Sequence, residues 1–254
     1  MAYSHMHSIK FGDGTLQNGK FVGYDTYEDW HLIPTSRPTI AAPGVETKFV
    51  TIPGMDGAVD LSTYLRKDRP AYGNRGGTFE FNVENDHEFW MTIYPKIINT
   101  LHGKKFKMVL DEDDPDYYWE GRFTVDKYEP GDGNWSTVSI SYQVGPYKKK
   151  IRKMSEHMLW DNFNFEKEYD YDPLGLDNIV VTSGRVINIW TDGCDFPFEV
   201  TCHSGAITVR VGEDSNTISA GQTVNIGHAQ YGMNAIQMSS DNAVISIDWR
   251  GRSL

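Results

Sequence analysis

The sequence predicts a mainly β chain of two domains with a single α-helix. Three observations carry that prediction. Glycine (24 residues) and aromatic side chains (13%) are plentiful, a composition suited to turns and pleated surfaces. Apolar residues alternate with polar ones in short runs punctuated by Pro, Gly and Asp, the pattern of half-buried strands joined by turns. Only residues 85–103 space their apolar side chains at helical intervals. A length of 254 residues is a prior of about two domains. With 39% hydrophobic and 23% charged residues, the chain reads as globular rather than disordered. It contains no apolar run of about 18 residues, so no membrane span is expected. The N-terminus lacks the apolar core of a signal peptide. A net charge of −11 argues against nucleic-acid binding, which needs cations to neutralise phosphates.

In chain order, residues 8–11 (SIKF) read as a first strand and 20–23 as a second. Gly14 to Lys20 (GTLQNGK) fits the first seven places of a P-loop. Phe21 stands where the magnesium-binding hydroxyl belongs and no helix follows, so the segment reads as a β-turn. His5 and His7 lie on a terminus with too few ligands for a metal. Residues 24–44 hold Pro34, Pro38 and Pro43, which suits loop or edge.

Residues 45–83 are the stretch around which the first half of the chain is organised. Two alternating strands, 48–52 and 78–83, flank the turn dipeptides Pro53-Gly54 and Asp56-Gly57, in which Pro presets φ and Gly accepts positive φ. Leu61, Tyr64 and Leu65 add apolar groups to a loop that composition would otherwise make polar. A long connection carrying apolar residues usually docks or functions. Next comes the helix, with Asn85 as N-cap and Glu88 as its capping-box partner. Trp90, Ile93, Ile97 and Leu101 share one face, and Gly103 suits the C-terminal stop. Pro95 is expected to kink or divide it.

Residues 105–110 and 117–125 read as strands around an acidic turn with four aspartates in residues 111–116. That turn lacks the sixth-place Gly and distal Glu of an EF-hand, and a hairpin tip offers no cleft for a glycosidase carboxylate pair. It reads as a solvated turn. Residues 126–134 read as another turn, and 135–144 as a long strand ending at Gly145-Pro146-Tyr147.

Residues 148–153 carry five positive charges and read as an exit strand or linker. Residues 154–173 mix acids with Trp160, Phe163, Phe165, Tyr169 and Tyr171, and are expected to dock across a domain junction. Residues 177–254 are short β segments recurring about every 8–12 residues, as in a sandwich or jelly roll. Cys194 and Cys202 read as reduced thiols; with His203 they lack the paired spacing of a zinc site. No nucleophile elbow, HExxH or CxxC motif occurs, and Ser, His and Asp are too common for counting to decide on a triad.

One order of short motifs runs through the first half: Ile52-Pro53-Gly54, Asp56-Gly57 and Asp60-Leu61-Ser62, then Tyr72-Gly73-Asn74-Arg75 and Phe79-x-Phe81. Leu101-His102-Gly103-Lys104, Tyr117-Tyr118, Gly121-Arg122 and Pro146-Tyr147-Lys148 come after these. This order resembles the N-terminal domain of siphophage and prophage distal tail (Dit) proteins over most of residues 7–148. The resemblance implies a ring-forming domain at 1–148, a β-sandwich or split barrel with one helix. It implies a galectin-like or jelly-roll, carbohydrate-module-like sandwich with its linker at 149–254. By the same resemblance the chain is a non-enzymatic virion protein without cofactor or metal. The resemblance further implies a hexameric tail-tip hub that joins the tail tube to the tail-associated protein and carries receptor-binding proteins. Its expected place of synthesis, on that resemblance, is the bacterial host cytoplasm.

A ring requires head-to-tail contacts that close under rotation. The expected contact is the loop bearing Pro53, Gly54, Met55, Asp56, Gly57, Leu61, Tyr64, Leu65, Arg66 and Arg69. An acidic ring, with residues 111–116 or Glu46 facing the lumen, would let DNA pass without sticking. The alternative reading is a carbohydrate-binding module or lectin for cell-wall glycans in residues 177–254. A glycan hydrolase is the third, and needs two carboxylates framing a cleft.

Overall fold

The computed structural model describes residues 7–17, 20–64, 70–84, 87–130, 135–152, 176–191 and 196–254. The chain forms two compact units, residues 1–148 with Leu254 and residues 149–253. Among the described residues no helix is long and apolar enough to cross a membrane.

The first unit contains β1 (Ile9–Gly12), β2 (Leu16–Gln17), β3 (Lys20–Phe21), β4 (Tyr24–Asp25), β5 (Leu32–Pro34), β6 (Val45–Glu46) and β7 (Phe49–Thr51). It continues with β8 (Ala58–Asp60), β9 (Ala71–Tyr72), β10 (Arg75–Glu84), α1 (His87–Leu101), β11 (Lys105–Leu110), β12 (Tyr117–Pro130) and β13 (Trp135–Val144). Its main sheet is antiparallel in the order β4-β1-β11-β12-β13-β10-β5. The period of two puts Phe79, Phe81 and Val83 of β10 on one face, with Val138, Ile140, Tyr142 and Val144 of β13. These join the buried stripe Trp90, Ile93, Ile97 and Leu101 of α1 in one core. Each such side chain contributes roughly 1.5–3 kcal/mol on burial, which fixes the helix to the sheet.

Two sequence expectations need correction here. Pro95 lies inside α1 without dividing it, since His87–Leu101 is one helix. Pro95 and Met91, whose carbonyl loses its donor, are both exposed, so water can replace the missing bond. The strand expected to end at 125 runs to Pro130. A register shift between Val125 and Lys127 makes Asp126 the extra residue of a bulge, and pairing resumes where a turn was expected. Asn85 lies outside the described residues, as does the side chain of Glu88. The P-loop-like segment carries the antiparallel pair β2–β3, with residues 18 and 19 outside the described residues.

The strand β14 (Lys148–Lys150) stands at the boundary. The second unit holds β15 (Ile179–Val181), β16 (Arg185–Thr191), β17 (Phe198–Ser204), β18 (Ala206–Val211) and β19 (Asp214–Ser219). It ends with β20 (Thr223–Ile226), β21 (Gly232–Ser239), β22 (Ala243–Asp248) and β23 (Arg252–Ser253). Two four-stranded antiparallel sheets, β15-β22-β17-β20 and β16-β21-β18-β19, share one core that includes Ile189, Phe198, Val200, Val209, Ile236 and Ile245. The chain is thus mainly β with sandwich-type architecture. The aromatic segment 154–173, expected to dock across the junction, lies outside the described residues.

Candidate functional site

The connection between β5 and β10 leaves the core of the first unit as an arm. Its base is the pair β6–β9, with Val45 opposite Tyr72 and Glu46 opposite Ala71. The Gly73 N–H donates to the Gly44 carbonyl at 2.9 Å. Beyond the base, β7 and β8 form a hairpin with Val50 opposite Val59 and Thr51 opposite Ala58. Gly54 and Gly57 adopt φ of 84° and 83° at its tip, the conformation that Gly accepts without a Cβ clash. Below the hairpin the Asp60 carboxylate accepts the Ser62 N–H at 2.8 Å and the Ser62 hydroxyl. That hydroxyl oxygen in turn accepts the Lys48 N–H at 2.7 Å. The two hydrogen bonds from Ser62 hold the Asp60 carboxyl below its ordinary pKa.

Among the described residues the arm's side chains form no buried core of their own. Tyr64 is 77% exposed, Phe49 60% and Met55 51%, and Val45, Val50 and Ile52 are exposed as well. The sequence alternation at 48–52 suggested one buried face; both faces are open. Pro53, Gly54, Asp56 and Gly57 are exposed and Leu61 is half-buried. Leu65, Arg66 and Arg69 lie outside the described residues. The structure therefore brings the first seven of the ten expected contact residues onto one protrusion.

Sequence reading missed what holds the arm. Arg75, at the end of the arm, is buried. Its Nε and Nη2 donate to the Pro146 carbonyl at 2.9 and 2.6 Å, and its Nη1 to the Ala41 carbonyl at 2.9 Å. The guanidinium also lies over the Trp119 ring. Burial lowers its pKa from the ordinary arginine value, partly offset by the Tyr142 hydroxyl; an arginine so placed stays cationic. One side chain thus ties both roots of the arm to the turn after β13. Tyr72 packs edge-to-face on Tyr147 at 6.0 Å beside it. The signal was present in the Tyr72-Gly73-Asn74-Arg75 motif, but no local pattern names carbonyl partners so distant in sequence.

The other candidate clusters are occupied by each other. The acidic turn is ion-paired rather than simply solvated. Asp111 meets Lys10 at 2.7 Å, Asp113 meets Arg37 at 2.5 Å and His7 at 3.0 Å, and Asp114 meets Lys148 at 2.6 Å. His5 lies outside the described residues, as does Cys194. Cys202 is buried, and its thiol donates to the Ser204 carbonyl at 3.3 Å. Among the described residues no group of three or more His, Cys, Asp or Glu is placed to hold a metal. His203 Nε2 lies 2.7 Å from Ser246 Oγ, which also bonds Asp177 and accepts the Asn178 N–H. Serine is the middle member here and its proton is directed at Asp177. Activation of a serine nucleophile requires histidine in the middle.

No family model matches the chain and no curated protein is similar to it in sequence. Among solved structures, the chain is similar to the crystal structure of the SPP1 Dit (gp 19.1) protein, described as a paradigm of the hub adsorption apparatus in phages infecting Gram-positive bacteria. The TM-score is 0.59 at 11% sequence identity, over 98% of this chain and 100% of that one. The likeness thus spans both units and shows a shared, Dit-like fold.

Proposed function

We propose that this protein is a structural component of a phage tail tip, a distal tail hub whose copies close into a hexameric ring. The observation that carries the reading is the arm: a clamped hairpin presenting Phe49, Met55 and Tyr64 to solvent. An apolar protrusion of this kind is stable and soluble when another surface covers it. If the covering surface lies elsewhere on an identical copy, the contact is head-to-tail, and such contacts generate rings when the rotation closes. The Dit-like fold supports the same reading, since the SPP1 protein is itself a hub of an adsorption apparatus.

In this proposal the protein is a non-catalytic part of the virion. It joins the tail tube to the tail-associated protein, carries the receptor-binding apparatus and lets DNA pass without specific binding. Lys10, Arg37 and Lys148 offset the acids of the turn after β11, so an acidic lumen would have to draw on other carboxylates. Light scattering and negative-stain microscopy of the purified chain across concentration test the assembly. The expected result is a ring of about six times the 28.9 kDa subunit mass. A monomer at every concentration, with or without the neighbouring tail proteins, overturns it.

A further inference from the structure

The second unit has a long sheet edge that nothing guards among the described residues. Exposed edge strands pair readily with other chains, and proteins blunt them with short length, proline, charge or covering groups. Other edges of this molecule carry such devices. The Asp25 N–H of β4 is taken by the Asp29 carboxylate at 2.8 Å, and β5 ends in Pro34. β15 is three residues long and β20 four, and β19 (DSNTIS) is polar and buries only Ile218. β16 differs. It is seven residues long, RVINIWT, with no proline and no charge after Arg185. It pairs with β21 from Arg185 to Thr191 without a register shift, and among the described residues no strand pairs with its other edge.

The outward side of β16 is apolar toward both ends. Val186 is 57% exposed and Trp190 44%, with the exposed Asn188 between them. Met233, opposite Trp190 on β21, is exposed as well. Ile187 and Ile189 point the other way, half-buried and buried. The strand's charge sits at its start. Arg185 is exposed and its Nη1 donates to the Val180 carbonyl at 3.5 Å; among the described residues no carboxylate pairs with it. Past the other end of the strand the sequence continues with Asp192.

These positions complement themselves. In an antiparallel pair, opposed residues share a face, and a slip of one residue turns the exposed side inward. The registers that keep the exposed side of β16 outward oppose even-numbered positions to even-numbered ones. A two-fold axis at Asn188 opposes Val186 to Trp190 of the second copy, Trp190 to its Val186, and Asn188 to itself. An axis at Ile187 sets Trp190 against Gly184, and one at Ile189 sets it against Asn188. Aromatic and β-branched side chains directly opposed across an antiparallel pair attract, which favours the axis at Asn188. The same axis sets Arg185 opposite Thr191 and next to Asp192 of the second copy. The two Arg185 positions then stand six residues apart along the strand, about 20 Å, beyond the reach of screened repulsion. Unlike charges meet at both ends of the pair.

We infer that β16 is an assembly edge whose occupant is β16 of a second copy of this chain, antiparallel about a two-fold axis at Asn188. The sheet β16-β21-β18-β19 then runs on unbroken into its counterpart. A strand that brings a branched side chain to Trp190, an aromatic one to Val186 and an acid to Arg185 has the sequence of β16 itself, so the edge selects a second copy over an unrelated strand. The contact is isologous. The arm's contact is head-to-tail, and the two therefore use different surfaces and different symmetry. A seven-residue edge makes a small interface, which places the pair among weak associations.

The test uses the full chain carrying Phe49→Ser and Tyr64→Ser, so that the arm does not drive assembly. Sedimentation velocity over rising concentration is expected to show a dimer of twice the 28.9 kDa subunit mass. Its Kd is expected on the order of 100 μM, so dilute solutions hold monomers. Asn188→Lys sets like charges face to face at the axis, and so does Asn188→Asp; each is expected to weaken the dimer about tenfold or more. An equimolar mixture of the two variants is expected to restore pairing as a heterodimer, because unlike charges then meet at the axis. Unchanged thermal unfolding of these variants separates a lost contact from a lost fold. Monomers up to about 1 mM overturn the proposal. So does a dimer that Asn188→Lys leaves intact, or a mixture that fails to pair. Hydrogen exchange reads the remaining occupant: a monomer in which every amide of residues 186–190 is protected has this edge paired within its own chain, and that also overturns it. The chain tested has no working arm, so success or failure of ring formation leaves the result standing.

Discussion

The guanidinium of Arg75 lies 4.6 Å above the ring of Trp119 while its nitrogens hold the Ala41 and Pro146 carbonyls. Removing it leaves acceptors without a donor in a buried place, and charge-assisted bonds contribute about 1.5–3 kcal/mol each. Arg75→Ala is expected to destabilise the first unit by about 3 kcal/mol. Arg75→Lys is expected to recover less than half of that, because an ammonium lacks the planar fork and stacks poorly. Urea unfolding of the full chain, followed by tryptophan fluorescence, checks both. Equal stability of the alanine variant and the parent would remove the clamp.

The arm predicts the opposite pairing of effects. Phe49 and Tyr64 are largely exposed, so Phe49→Ser with Tyr64→Ser is expected to change subunit stability by within about 0.5 kcal/mol. If a second copy covers these side chains, each contributes roughly 1.5–3 kcal/mol to the contact, and the double variant remains monomeric where the parent assembles. Thermal unfolding and light scattering read the two effects separately. Loss of stability without loss of assembly would place these residues in the subunit's own core.

Much of the strand pattern was legible because it is local. Residues 105–110 and 135–144 were bounded as the structure bounds them, since each alternates between turn residues. The strand β19 carries no such pattern. Its sequence DSNTIS buries only Ile218, and its pairing comes from β18 at a sheet edge rather than from its own pattern. The bulge at Asp126 was hidden by Pro-Gly turn chemistry just downstream. Alternation at 48–52 revealed a strand and said nothing of burial, which depends on whether a partner face exists. Trp190 and Tyr231 meet edge-to-face beside the β16–β21 register, which sets Trp190 opposite Met233, a relation with no local signature.

Close backbone approach makes Gly121 a further test of the sheet. A Cβ there would fall 2.1 Å from the Gln143 carbonyl oxygen and 2.6 Å from Val144 Cα. Both are backbone atoms in the long pair β12–β13, so neither can move without shifting the ladder. Gly121→Ala is expected to cost about 3 kcal/mol, the scale of overpacking in a close-packed interior. Gly76→Ala, on β10, meets its nearest atom at 3.6 Å and is expected to change stability by less than about 1 kcal/mol. Chemical unfolding of the two variants side by side checks the contrast, and similar losses in both would contradict the close approach.

The arm's lower turn carries a titration of its own. The Ser62 hydroxyl and N–H both bond the Asp60 carboxylate and hold its pKa below 3.8. The folded value is depressed, so the stabilisation is complete above the unfolded value and is lost as pH falls through the folded one. The turn that positions Lys48 and β7 is therefore expected to stay closed at neutral pH and to loosen only in acid. Asp60 is fully exposed, so the effect belongs to the arm and not to global unfolding. Carboxyl chemical shifts followed by NMR against pH give the midpoint directly. A value below 3.8 is expected for the parent, and Ser62→Ala is expected to raise it toward 3.8 by removing the hydroxyl donor. A parent midpoint at or above 3.8 would mean that Ser62 does not hold the carboxylate, and the turn would then owe its form to the β7–β8 ladder alone.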